Sequence, residues 1–117
     1  MKSEIILKEI EKCNYWDMGV DELAISSYFD EVSISFFNEK NVTYKFSNCY
    51  KIISEHCMDF DKIGYDENGE RNLPPYFLQN ISIQEIEINS RILYKVVIDM
   101  HPLDIEIWCK DISVISN

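Results

Sequence analysis

The sequence predicts an α+β fold dominated by strands: an antiparallel β-sheet or sandwich of about seven to nine strands with an N-terminal helix. Three stretches carry that expectation. The last third, Ile81 to Ile115, reads as consecutive strands with almost no loop between them. Glu31 to Asn48 alternates apolar and polar residues on both sides of a polar turn. Ser3 to Cys13 alone has helical spacing over its whole length. At 117 residues the chain makes one domain, residues 1–117, large enough to fold without a metal or disulfide.

In Ser3 to Cys13, residues Ile6, Ile10 and Cys13 fall on one helical face, widened by Ile5 and Leu7. Ser3 is the expected N-cap, Glu4 suits the positive end of the helix dipole, and Asn14 is the expected stop. Asn14 to Gly19 reads as a loop that buries the pair Tyr15 and Trp16. Val20 to Tyr28 is read as a strand because β-branched and aromatic residues gather towards its end.

In the hairpin, Val32, Ile34 and Phe36 share one face with Val42, Tyr44 and Phe46, and Asn38 to Asn41 are its turn. Cys49 to Cys57 continues as strand, with a bulge expected at Ile52-Ile53. Asp59 to Pro75 is the longest loop, and Pro75 to Gln79 is assigned one helical turn. Ile81 to Ile88 changes the parity of its isoleucines, so a bulge is expected at Gln84-Glu85. Asn89-Ser90-Arg91 turns the chain into an inward row of Ile92, Tyr94, Val96, Ile98 and Met100. After His101-Pro102, the run Leu103 to Cys109 alternates without a break. It sends Leu103, Ile105, Ile107 and Cys109 inward and Asp104, Glu106 and Trp108 outward. Lys110-Asp111 then leads into a short last strand with Ile112 and Val114.

Composition narrows the function. Acids number 21 against 11 bases, a net charge of −10, which repels nucleic-acid phosphates and anionic membranes and suits a basic protein partner. Met1 to Glu9 lacks a secretory apolar core and no run reaches the length of a membrane span, so the expected compartment is the cytoplasm. Cys13, Cys49, Cys57 and Cys109 are then reduced thiols.

Asp59 to Glu70 resembles a twelve-residue calcium loop, with carboxylates at its first, third and twelfth places and Gly64 at the sixth. Ile63 stands where an oxygen ligand belongs, and Pro74-Pro75 blocks an exiting helix, so a solvated acidic loop is the better reading. Cys49, His56, Cys57, His101 and Cys109 lack zinc-ligand spacing. His56 and Cys57 point to opposite faces of a strand, which disfavours a thiolate–imidazole pair. No nucleophile elbow or phosphate-binding glycine loop is present. The expectation is a protein without cofactor that is not an enzyme.

The better candidate site is the outward face of the last strands. It comprises Asp104, Glu106 and Trp108, with Asp99 on the preceding strand and Glu85 or Glu87 on the one before. Acids around an aromatic anchor suit a basic protein: charge steers the encounter and the ring supplies buried contact.

The chain also resembles the YxiG-like family of small bacterial proteins, many of which look like immunity proteins of polymorphic toxin systems. The resemblance lies in Tyr15-Trp16-Asp17, Asp21 to Ile25, Val32 to Phe36, Tyr44 to Cys49 and Leu103 to Ile107. It implies a protein that binds and blocks a toxin effector domain, and it transfers no binding residues. The alternative expectation is a general protein-binding module, or a structural module that self-associates through a sheet edge. The oligomeric state is left open by the sequence.

Overall fold

The computed structural model describes residues 2–57, 64–65, 67–68, 71–72 and 76–117. Its elements are α1 (Lys2–Glu11), β1 (Glu22–Ile25), β2 (Glu31–Asn38), β3 (Lys40–His56), β4 (Gly64–Tyr65), β5 (Arg71–Asn72), β6 (Asn80–Ile88), β7 (Arg91–Met100) and β8 (Leu103–Ser116). Six strands form one antiparallel sheet in the order β1-β2-β3-β8-β7-β6, and β4 and β5 pair as a separate two-stranded sheet. The expected strand-dominated α+β fold is what the chain adopts.

The spine is the pair of long strands β3 and β8. Their N- and C-terminal halves serve different parts of the sheet. Val42 to Ser47 of β3 lie between β2 and the end of β8, whereas Lys51 to His56 pair with its beginning, next to β7. Between these halves the inward parity changes. Phe46 and Cys49 both face in on β3, and Cys109 and Ile112 both face in on β8. Asn48 at φ 55° and a register shift between Cys49 and Lys51 mark the place, which leaves Tyr50 as the extra residue of a bulge. The bulge was expected at Ile52-Ile53. It sits earlier because Ile52, opposite Ile107, is already back on the inward row.

The coiled sheet thereby turns both inner rows onto one core. Val32, Ile34, Phe36, Val42, Tyr44 and Phe46 come from one half, and Ile81, Val96, Ile98, Met100, Ile105, Ile107 and Cys109 from the other. Directly opposed pairs such as Val32 with Phe46 and Ile34 with Tyr44 put the two apolar rows on one face, as expected. Its turn is tighter than expected: Lys40 and Asn41 already belong to β3, and Glu39 alone takes φ 64°.

Helix α1 closes the core through Ile10, with Ile6 packed beside it and Tyr15 and Leu78 filling the neighbouring gap. Asn14, at φ 50°, stops the helix as expected. Ser3 is not its N-cap. It lies inside the helix, and its amide donates to Glu85 Oε1 at 3.2 Å. Ile5 is exposed, which narrows the helical face to Ser3, Ile6, Ile10 and Cys13. Tyr15 is buried and stacks on Trp16 with centroids 4.4 Å apart, but Trp16 itself is exposed.

Several local expectations give way to tertiary contacts. The first strand ends at Ile25, and Tyr28 and Phe29 stand out in the following turn. Ser26 Oγ holds that turn, accepting from the Asp30 and Glu31 amides and bonding to Asp30 Oδ1. Residues 76–79 form no helical turn; Phe77 bridges to Gly19 in extended backbone, and Leu78 N donates to the Met18 carbonyl. Pro75 lies outside the described residues. β6 carries no bulge at Gln84-Glu85, since its register with β7 is unbroken from Asn80 to Ile88. Glu85, expected on the outward face, takes an inward place, where the helix amide above it binds its carboxylate. Ile92 is exposed rather than part of the inward row. β8 runs through Lys110-Asp111 as one strand instead of breaking there.

Candidate recognition face

The outer side of the sheet is the face opposite the core, and the register lays out its residues strand by strand. At one end Glu55, Asp104 and Asp99 stand side by side on β3, β8 and β7. The next row is Ile53, Glu106 and Val97, and the one after is Lys51, Trp108 and Lys95. Tyr50, Leu93 and Ile86 occupy the far end. Alternation puts these on one surface because the strands share their pleat, except Tyr50, which the bulge turns to the same side as Lys51.

Of the residues singled out in the sequence, Asp99, Asp104, Glu106 and Trp108 share this face. Glu85 and Glu87 do not extend it. They have the parity of Tyr94 and Cys109, which places Glu85 beneath the helix start and Glu87 at the open margin of β6.

Trp108 is half-buried, and its surroundings are built. Its Nε1 donates to Glu106 Oε2 at 2.7 Å, and Glu106 Oε1 lies 3.9 Å from Lys95 Nζ. Lys51 Nζ sits 4.7 Å from the indole centroid, within cation–π range. Tyr50 is aligned with the indole at 6.2 Å between centroids and leaves much of its own ring exposed. Glu106 is therefore largely compensated by its neighbours.

The negative charge concentrates instead at the Glu55–Asp104–Asp99 row. Among the described residues no lysine or arginine forms an ion pair with any of these three. The Asp104 carboxyl is raised above its ordinary pKa, chiefly by loss of hydration, then by the hydrogen bond and charge of Asp99 and the charge of Glu55; His101 pulls the other way. Three carboxylates on adjacent strands repel one another, as like charges across a sheet do. This face is thus graded, acidic at one end, aromatic with two flanking lysines in the middle, and apolar at the other.

Alternation alone did not find the apolar end. Leu93 is buried outside the main core, opposite Ile86, and lines an open cleft with Asp30, Tyr50, Arg91 and Lys110. Tyr28, Phe29 and Ile92 are exposed, and the Cys49 amide ties the Tyr28–Phe29 turn to this end through the Asp30 carbonyl at 3.0 Å. The available signals were the Tyr-Phe pair before Asp30 and the parity change within Ile81 to Ile88.

The metal candidates do not converge. Among the described residues no group of three or more His, Cys, Asp and Glu side chains has metal-holding geometry. Cys49 and Cys109 face each other across β3 and β8 as free thiols. Burial pushes Cys49 up and Cys109 up to about 12, which suits packing rather than nucleophilic attack. His56 Nε2 lies 2.9 Å from the Tyr76 hydroxyl on the surface. The stretch that resembles a calcium loop, Asp59 to Glu70, lies for the most part outside the described residues. No helix among the described residues is long and apolar enough to cross a membrane.

The chain falls among bacterial immunity proteins. Residues 2–116 match the family model of immunity protein PIM7, and the chain belongs to that family. This agrees with the immunity-protein resemblance but does not support the YxiG-like label. No curated protein matches the sequence. Among solved structures, an uncharacterized protein from Neisseria gonorrhoeae is similar, with a TM-score of 0.55 and 18% identity over 86% of this chain and 91% of that one. At that identity the likeness extends to the fold alone.

Proposed function

We propose that this protein neutralises a toxin effector domain in the cytoplasm by binding it tightly, without catalysis, through the outer face of β3, β8 and β7. Family membership supports the immunity role in general. The observation that carries the finer reading is the Glu55–Asp104–Asp99 row, held at adjacent strand positions with a raised Asp104 pKa. Such a row works against stability in the free protein, and a basic partner surface relieves it on binding. Trp108 and Tyr50 beside the row supply the aromatic contact from which interface energy comes. The partner in this reading is a basic toxin domain, with its phosphate- or substrate-binding surface covered. Nucleic acid and anionic membrane are repelled by the net charge of −10.

The test is binding to the toxin domain encoded beside the gene, made catalytically inert. A nanomolar or tighter complex is expected. Asp104→Lys should slow association most at low salt, and Trp108→Ala should weaken the complex roughly 30-fold, the scale of an interface anchor. Failure of the two proteins to associate overturns the proposal.

A further inference from the structure

Strand β6 is one of the two margins of the main sheet, and its main chain has a determinable direction. Asn89 and Ser90, at φ 51° and 65°, form a two-residue turn with both central residues left-handed. In such a turn the Ile88 carbonyl accepts from the Arg91 amide, so Ile88 and Arg91 are a hydrogen-bonded pair. Bonding then alternates along the ladder. Residues 86, 84, 82 and 80 bond to β7, while Ile81, Ile83, Glu85 and Glu87 direct their N–H and C=O groups outward. Ile81 confirms the phase, for its amide donates to the Tyr15 hydroxyl at 3.0 Å instead of to β7.

Beyond Ile81, no group among the described residues bonds to the outward-directed main chain of Ile83, Glu85 or Glu87. The margin is only partly protected: Glu85 points inward beneath the start of α1, which packs against the strand. It has nine residues, Asn80–Ile88, with no lysine, no proline and an unbroken register. The opposite margin, β1, is only four residues long. The sole charges on β6 are Glu85 and Glu87. Antiparallel pairing with a second copy of β6 brings those glutamates towards their own counterparts, whereas a strand bearing Lys or Arg complements them.

We propose that β6 receives an extended, base-bearing segment of the toxin as an added strand, continuing the sheet beside the recognition face. This rests on the reading of the protein as a toxin-binding immunity protein and names the mode of contact. The added strand takes main-chain hydrogen bonds from Ile83, Glu85 and Glu87, and a lysine or arginine on it lies against the exposed Glu87, since the Glu85 carboxylate already accepts from the helix start.

Amide hydrogen exchange of the full-length protein, free and bound to the inactivated toxin domain encoded beside the gene, tests it. The Ile83, Glu85 and Glu87 amides should exchange fast in the free protein and at least tenfold more slowly in the complex. The even-numbered amides, already bonded to β7, should change little. Glu87→Pro removes one outward amide without touching the β7 ladder and should weaken the complex about tenfold, the worth of one lost main-chain hydrogen bond. Glu87→Gln, which keeps the amide, should cost less. A stable complex in which the three amides stay fast overturns the added strand and leaves the immunity reading standing. Absence of any complex overturns both. A free protein that dimerises, with the dimer abolished by Glu87→Pro, overturns the proposal by assigning the margin to a second copy.

Discussion

At the scale of single residues, Tyr44 shows how this fold uses a polar tip in its interior. The side chain is fully buried, and its hydroxyl donates to the Ile10 carbonyl at 2.7 Å. Burial raises its pKa far above the ordinary phenol value, so the group remains a hydrogen-bond donor. The bond joins the N-terminal half of β3 to the last turn of α1. Tyr44→Phe keeps the ring against Phe36 but leaves the carbonyl without that donor. It should destabilise the protein by about 1–2 kcal/mol, read as a lower urea midpoint at unchanged m-value. An increased m-value together with loss of helix signal would contradict the view that this hydroxyl acts locally.

At the scale of elements, α1 has ten residues, too short to persist alone in water. Side chains from three strands hold it. Glu85 of β6 accepts the Ser3 amide, Tyr44 of β3 donates near its end, and Asn38 of β2 donates to the Cys13 and Asn14 carbonyls at 3.1 and 3.2 Å. Glu85 works as a remote N-cap, with its negative charge at the positive end of the helix dipole. Glu85→Ala should therefore cost about 1 kcal/mol in thermal or denaturant unfolding. Glu85→Gln should recover part of that loss, since an amide oxygen still accepts but carries no charge. Equal loss in both variants would reduce the role of Glu85 to its charge.

This helix also shows where reading the sequence stopped. Helical spacing at Ile6 and Ile10 was legible because it depends only on the chain's own period. The identity of the cap was not, because Glu85 is 82 residues from Ser3. The same division holds in the strands. Val32 to Phe36 and Leu103 to Cys109 announced their inner faces by alternation. Ile86 and Ile88 seemed to need a bulge because the parity change that marks a second apolar surface, shared with Leu93, reads locally as an irregularity of a single surface. The candidate face was legible at Asp104, Glu106 and Trp108, which lie on one strand. The neighbours that shape it, Glu55, Lys51 and Tyr50, come from β3 and depend on a bulge placed by tertiary register.

At the scale of the whole molecule, the net charge of −10 is unevenly opposed. Lys95 compensates Glu106, and Lys45 lies 3.6 Å from Glu31, while the Glu55–Asp104–Asp99 row keeps its repulsion. A folded-state pKa above the unfolded one means that ionising Asp104 is harder in the fold than in the open chain. Its favourable contribution is complete only below the unfolded value, where Asp104 is protonated in both states, and is lost as pH rises through the raised folded value. Asp104→Asn removes this penalty. The variant should melt at a higher temperature than the parent at neutral pH, and the gap should close as pH falls through the raised value of Asp104. The same substitution should slow association with the toxin domain, most clearly at low ionic strength. A row kept for recognition predicts this opposition of stability against binding rate. If Asp104→Asn raises the melting temperature and leaves association untouched at every salt concentration, the row is an incidental feature of an acidic surface and the recognition face must be sought elsewhere on the sheet.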